Sequence, residues 1–235
     1  MQQFFSKIIA VLLLALSQSV AVAAPKSVTL NYEASRNGQP FANITETYTV
    51  QNGKYRIESV TKGIGVYALL GERRLTSEGE VGRGGLKPLH FELHQGGNPK
   101  RSLYTDFDWA ASTLQMKVKG KLLNEALPSG TQDISSLIYQ FMFVQPAGDT
   151  FKLPVTTGKK LKMYEYRVAG RDVPLTVPAG SYNTLHLRDA GEDADEDSKE
   201  LWLGGAATHF LPVKLVMRDD KGAVIEQVLT SLHAK

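Results

Sequence analysis

Phe41-Ala42-Asn43-Ile44-Thr45-Glu46-Thr47-Tyr48-Thr49-Val50-Gln51-Asn52-Gly53-Lys54-Tyr55-Arg56-Ile57-Glu58-Ser59-Val60 is the stretch on which the fold turns. Ile44, Tyr48 and Val50 fall on one face, and Thr45, Thr47 and Thr49 on the other. That is the two-residue period of an extended strand. Asn52-Gly53 interrupts it with two residues that tolerate positive φ, the requirement of a tight hairpin turn whose twist matches the flanking strands. Lys54 to Val60 then resumes the extended pattern. Gly53 is therefore expected at positive φ.

The same pattern continues on both sides. Upstream, Ser27 to Ser35 alternates with Val28, Leu30 and Tyr32 on one face, and Arg36-Asn37-Gly38-Gln39-Pro40 is a turn. Downstream, strands are expected at Leu75 to Val81, Leu86 to Gln95, Arg101 to Asp108, Thr113 to Val118 and Lys121 to Leu127. After an interruption they resume at Phe151 to Val155, Leu161 to Val168, Leu175 to Val177, Tyr182 to Asp189 and Leu201 to Leu203. Leu211 to Arg218 and Val224 to Leu232 form a last hairpin around Asp219-Asp220-Lys221-Gly222. Turn residues recur every 8–12 positions, the signature of an antiparallel, mainly β protein.

The interruption reads as one amphipathic helix. Asp133 can cap it by accepting from free backbone N–H groups. Ile134, Leu137, Ile138, Phe141 and Met142 repeat at the spacing of a single apolar helical face, and Pro146 and Gly148 end it. The expected fold is a curved antiparallel sheet, half-barrel or sandwich-like. The helix lies on its open side or caps its end.

Residues 1–23 read as a secretory signal. Lys7 supplies the positive start, Ile8 to Leu16 the apolar run, and Ala21-Val22-Ala23 the small residues read by a signal peptidase, with cleavage between Ala23 and Ala24. The run is less than half of the ~20 residues a spanning helix needs, so the segment is not membrane-spanning. No Cys follows it to carry a lipid. The mature protein, residues 24–235, is expected as a single β-rich domain free in the periplasm, or secreted. With 27 Lys+Arg against 24 Asp+Glu, the charge is too balanced for a dedicated nucleic-acid binder. Zero Cys excludes a disulfide scaffold and thiol catalysis.

Chemical motifs are sparse. His90, Glu92 and His94 share one strand face, but roughly 14 Å separates the two His along a strand, too far for both to hold one ion. Glu192-Asp193-Ala194-Asp195-Glu196-Asp197 imitates the start of a calcium loop, then fails at Ser198 and Gly204, where Gly and a bidentate Glu are needed. It reads as a solvated turn. No Gly-x-Ser-x-Gly elbow or phosphate-binding Gly loop is present. No catalytic residue, metal site or cofactor is assigned. The chain's 9 Tyr, 9 Phe, 2 Trp and 5 Met are core in a closed sandwich. In a half-open barrel some would line a groove for an apolar ligand. The candidates are Tyr67, Leu69 and Leu70, in the two-glycine stretch Gly63 to Leu70, and Ile138, Phe141 and Met142 on the helix.

A series of ordered pieces resembles a known family. They are Tyr55-Arg56-Ile57-Glu58-Ser59, Leu69-Leu70, Ser77-Glu78-Gly79 and Gly85-Leu86-Lys87-Pro88-Leu89 with Phe91. Leu153-Pro154-Val155 before Gly158-Lys159, Val177-Pro178-Ala179-Gly180 before Leu185, and Leu201-Trp202-Leu203 before Leu211-Pro212-Val213-Lys214 complete the series. Together they are similar to domain-of-unknown-function family 3108 of bacterial exported proteins. The resemblance implies an exported β-rich domain and carries over no catalytic residue. By fold analogy alone, the expected architecture also looks like the half-barrel of periplasmic lipoprotein carriers. The leading expectation is a non-enzymatic binding module of the cell envelope, for a lipid or other amphiphile or for an envelope protein. The rival is a hydrolase acting on envelope polymers.

Overall fold

The computed structural model describes residues 24–190, 199–218 and 222–235. Residues 1–23, expected from sequence to be a secretory signal, and the acidic run at 192–197 lie outside the described residues. The described residues begin in the middle of one sheet. β1 (Ser27–Arg36) pairs with β2 (Gln39–Gln51), and β3 (Lys54–Gly63), β4 (Arg73–Gly82), β5 (Gly85–Gln95), β6 (Leu103–Asp108), β7 (Thr113–Val118) and β8 (Lys121–Ala126) follow outward to one edge. The chain then crosses to the opposite edge at β9 (Gln132–Asp133), forms α1 (Ser136–Gln140), and returns through β10 (Thr150–Thr156) and β11 (Leu161–Val177). β12 (Gly180–Asp189), β13 (Lys199–Gly204), β14 (Pro212–Arg218) and β15 (Val224–Ala234) bring it back to β1. Pairing is antiparallel throughout, except for the short parallel contact of β9 with β10. The expected curved antiparallel sheet, open like a half-barrel, is what forms.

The Asn52-Gly53 hairpin has the expected geometry, with φ of 52° at Asn52 and 73° at Gly53, and it sets the β2–β3 register of Gln51 against Lys54. A β-branched side chain is strained in that conformation. Gly53→Val is therefore expected to lower stability by about 1 kcal/mol or more. A urea midpoint equal to that of the parent would show that the turn does not need the glycine.

Two elements differ from the sequence expectation. Leu161–Val177 is one long strand and not two. Its pairing with β12 slips between Val168 and Gly170 and again between Gly170 and Val173. Asp172, at φ 54°, absorbs part of that irregularity, so the ladder bends without ending. The helix is also shorter than its apolar spacing suggests. Asp133 Oδ1 does accept from the N–H groups of Ser135 (2.8 Å) and Ser136 (2.9 Å). After Gln140, however, the chain tightens into i→i+3 turns, Met142 N to Tyr139 O and Phe143 N to Gln140 O.

The inner faces of the strands bury three apolar clusters. One gathers Leu30, Tyr48, Ile57, Leu211 and Leu229. A second holds Val155, Tyr166, Leu187 and Leu203, and a third Phe91, Leu114 and Met116. α1 is anchored among them by amide hydrogen bonds to β5 and the turn before it. Gln140 Oε1 accepts from Leu86 N at 2.7 Å, and its Nε2 donates to Gly84 O at 2.7 Å.

Candidate functional site

The six residues expected to line a groove occupy two different environments. Phe141 and Met142 are buried and Ile138 is half-buried, all packed into the core clusters. Phe141 lies edge-on to Phe151 at 6.1 Å. Between these residues Tyr139 stacks on Tyr48 at 5.2 Å. The helix therefore fills the concave side of the sheet with side chains. Tyr67, Leu69 and Leu70 lie instead on a 3₁₀ turn, Gly65–Leu70, in the connection from β3 to β4, where no residue is buried. Val66 is 76% exposed, Leu69 90% and Leu70 58%. Ile64 is exposed as well, and the Tyr67 ring rests edge-on against Phe41 at 5.6 Å. Ile64 and Val66 belong to the apolar stretch Gly63 to Leu70 but are not among the six candidates the sequence offers. Their apolar character was visible there; their exposure was not.

This apolar lip is braced by a neighbouring connection. Gly96 N donates to Glu72 O at 2.8 Å. A Cβ on Gly71 would stand 2.7 Å from Gly96 Cα, so the two backbones touch and only glycines permit the approach. The β5–β6 connection beyond Gly96 carries a second 3₁₀ turn, Pro99–Arg101, with Lys100 and Arg101 exposed.

The interior holds one fully buried carboxyl, Asp133, and one half-buried carboxyl, Glu46. Glu46 lies on the inner face of β2 and accepts from Ser59 Oγ (3.2 Å) and Tyr139 Oη (3.4 Å). Burial pushes its pKa up, against the pull of those two hydrogen bonds and of Arg73. Asp133 is likewise raised by burial, opposed by its hydrogen bonds from Ser77, Ser135 and Ser136. Ser77 Oγ donates to Asp133 Oδ2 at 2.6 Å and contacts Tyr55 Oη at 3.1 Å. The pair thus joins a serine to a carboxylate with no imidazole between them, and both residues are inaccessible. Such an arrangement ties strand to helix and does not activate a nucleophile.

On the outer face of β5, His90, Glu92 and His94 do share one side. Their side chains lean together further than backbone spacing suggests. Glu92 Oε2 is 3.2 Å from His94 Nε2 and 3.9 Å from His90 Nε2, while His90 Nδ1 meets Asp106 at 2.7 Å. A shallow cleft of about 490 Å³ opens elsewhere, where the β11–β12 turn meets β15, lined by Pro178, Tyr182, Thr208 and Ser231 among others. Among the described residues no helix is long and apolar enough to cross a membrane.

The model of the family "Protein of unknown function (DUF3108)" matches residues 29–230. The chain belongs to the DUF3108 family. No curated protein matches it. Among solved structures, this DUF3108 chain is similar to a beta-barrel-like protein of domain of unknown function DUF1849 from Brucella abortus. The TM-score is 0.61 at 10% identity, covering 91% of this chain and 99% of that one. At that identity the likeness is one of fold. MucB in complex with MucA(peri) matches with a TM-score of 0.36 at 14% identity, over 89% of this chain and 50% of MucB. A putative outer membrane lipoprotein-sorting protein domain from Vibrio parahaemolyticus matches with a TM-score of 0.26 at 8% identity, over 89% of this chain and 85% of that one. Likenesses of that size carry no structural argument.

Proposed function

We propose that this DUF3108 protein is an exported binding module of the bacterial cell envelope, a single domain working in the periplasm, and that it engages an apolar or amphiphilic partner through the Ile64–Leu70 lip. The observation that carries the reading is the side-by-side exposure of Val66, Leu69 and Leu70 on a sheet whose concave side is filled. Apolar side chains scattered singly need no explanation, but a contiguous run on a braced projection marks a contact surface. The signal segment, with cleavage between Ala23 and Ala24, supports export. The buried Ser77–Asp133 pair offers no nucleophile to a substrate, which favours binding over the hydrolase reading.

An apolar probe tests the lip. 1-Anilinonaphthalene-8-sulfonate is expected to brighten on the parent protein and to lose most of that signal in Val66→Ser/Leu69→Ser/Leu70→Ser. The thermal midpoint should stay put, because these side chains contribute almost no burial. A parent protein that leaves the dye dark would overturn the reading.

A further inference from the structure

We propose that the partner of the lip is the anionic surface of a lipid bilayer, into which Val66, Leu69 and Leu70 insert while Lys100, Arg101 and Lys62 meet the headgroups. This inference rests on the docking reading above and names its partner. Three observations favour a surface. First, the apolar side chains project from a turn with most of their surface in solvent, so they match a continuous apolar medium better than a single enclosed molecule. The concave side, where one molecule would be enclosed, is occupied by Tyr139, Phe141 and Met142. Second, the turn bonds part of its own backbone, Tyr67 N to Ile64 O (3.1 Å) and Gly71 N to Ala68 O (3.2 Å). Paired backbone groups lower the cost of entering hydrocarbon.

Third, the charge around the lip is basic. Lys100 and Arg101 sit on the connection whose backbone touches Gly71, and neither forms a salt bridge with a described carboxylate. Lys62 is the penultimate residue of β3, just before the lip. The nearby Glu72 is held by Arg74 at 2.6 Å and more loosely by Lys62 at 3.9 Å. Apolar side chains beside cations are the pattern of a shallow anchor that sinks ~5–10 Å into the boundary between headgroups and acyl chains. Cations near an anionic leaflet add to its affinity.

Vesicle co-sedimentation tests this, using phosphatidylcholine alone and phosphatidylcholine mixed with phosphatidylglycerol. The parent is expected to pellet with the mixed vesicles and to be released by high salt, which screens the headgroup contacts. Lys62→Glu/Lys100→Glu/Arg101→Glu should weaken partitioning on the order of 100-fold, and Leu69→Ser/Leu70→Ser by a comparable factor. Both variants should unfold at the parent's temperature. Leu69→Trp should show blue-shifted emission only when mixed vesicles are added. Equal binding to both vesicle types overturns the anionic assignment. Binding unaffected by either variant places the contact elsewhere and overturns the inference. A parent that ignores both vesicle types yet still brightens the dye at its lip removes the bilayer and leaves the docking reading standing, with a protein partner next to be sought. If dye and vesicles are both ignored, both proposals fall.

Discussion

Phe141→Ala is expected to lower the unfolding free energy by roughly 3–5 kcal/mol, the cost of deleting a buried aromatic ring whose surroundings collapse only in part. Phe141 is 3% exposed. Its ring meets Phe151 edge-on, and Phe151 in turn stacks on Tyr166 at 5.4 Å. The backbone there is pinned by the Gln140 bonds to Gly84 and Leu86, so α1 cannot slide inward to fill the space. Urea unfolding gives the measurement. A loss below about 1 kcal/mol would mean that one side of the ring already faced open space. In that case α1 lids a groove, and the packed interior on which the lip argument depends would be wrong.

Asp133→Ala should cost a similar amount by a different route. It removes the acceptor for the N–H groups of Ser135 and Ser136 at the start of α1 and for Ser77 Oγ, all buried. Each donor left without a partner costs roughly 1–3 kcal/mol. Relief of the carboxyl's own burial offsets part of that, so a net loss of about 3–4 kcal/mol is expected. Asp133→Asn separates hydrogen bonding from charge. Its oxygen can still accept from Ser135 and Ser136, and its amide can donate to Ser77, so most of the loss should be recovered.

The pH dependence has a definite sign. Burial raises the Asp133 pKa in the folded state. A carboxyl raised in this way contributes stability below its unfolded pKa of about 3.9, and that contribution is lost as pH climbs through the folded value. Glu46 acts in the same direction. The parent should therefore gain stability relative to Asp133→Asn as both are moved from pH 8 down to about pH 4, close to the unfolded pKa. A gap between the two that stays constant would show that the Asp133 carboxyl titrates as it does in the unfolded chain.

Much of the strand content was legible because its signals are local. Asn52-Gly53 and the alternation around it lie within a few residues of one another, and side-chain sterics decide both. The Asp133 cap is equally local, since its acceptor and donors are two and three residues apart. Apolar spacing predicts a longer helix than the one that forms, because it records which side chains seek burial. It does not record where i→i+3 bonds replace i→i+4 bonds.

Other features depended on partners far along the chain. Val28 pairs with Ala234 and Leu30 with Leu232, across nearly the whole length of the protein, and no local pattern specifies which strand closes on which. Glu46 illustrates the same limit. Period-two alternation puts it on the face of Ile44 and Tyr48, yet only the arrival of Ser59 and Tyr139 shows how a carboxyl can sit there. The six candidate apolar residues divided for the same reason. Sequence alone determined that Leu69, Leu70, Phe141 and Met142 are apolar and lie on two short segments. Tertiary structure decided that α1 is inserted among the strands while the β3–β4 connection is left uncovered, because burial depends on which elements pack above a side chain, and that depends on the whole chain.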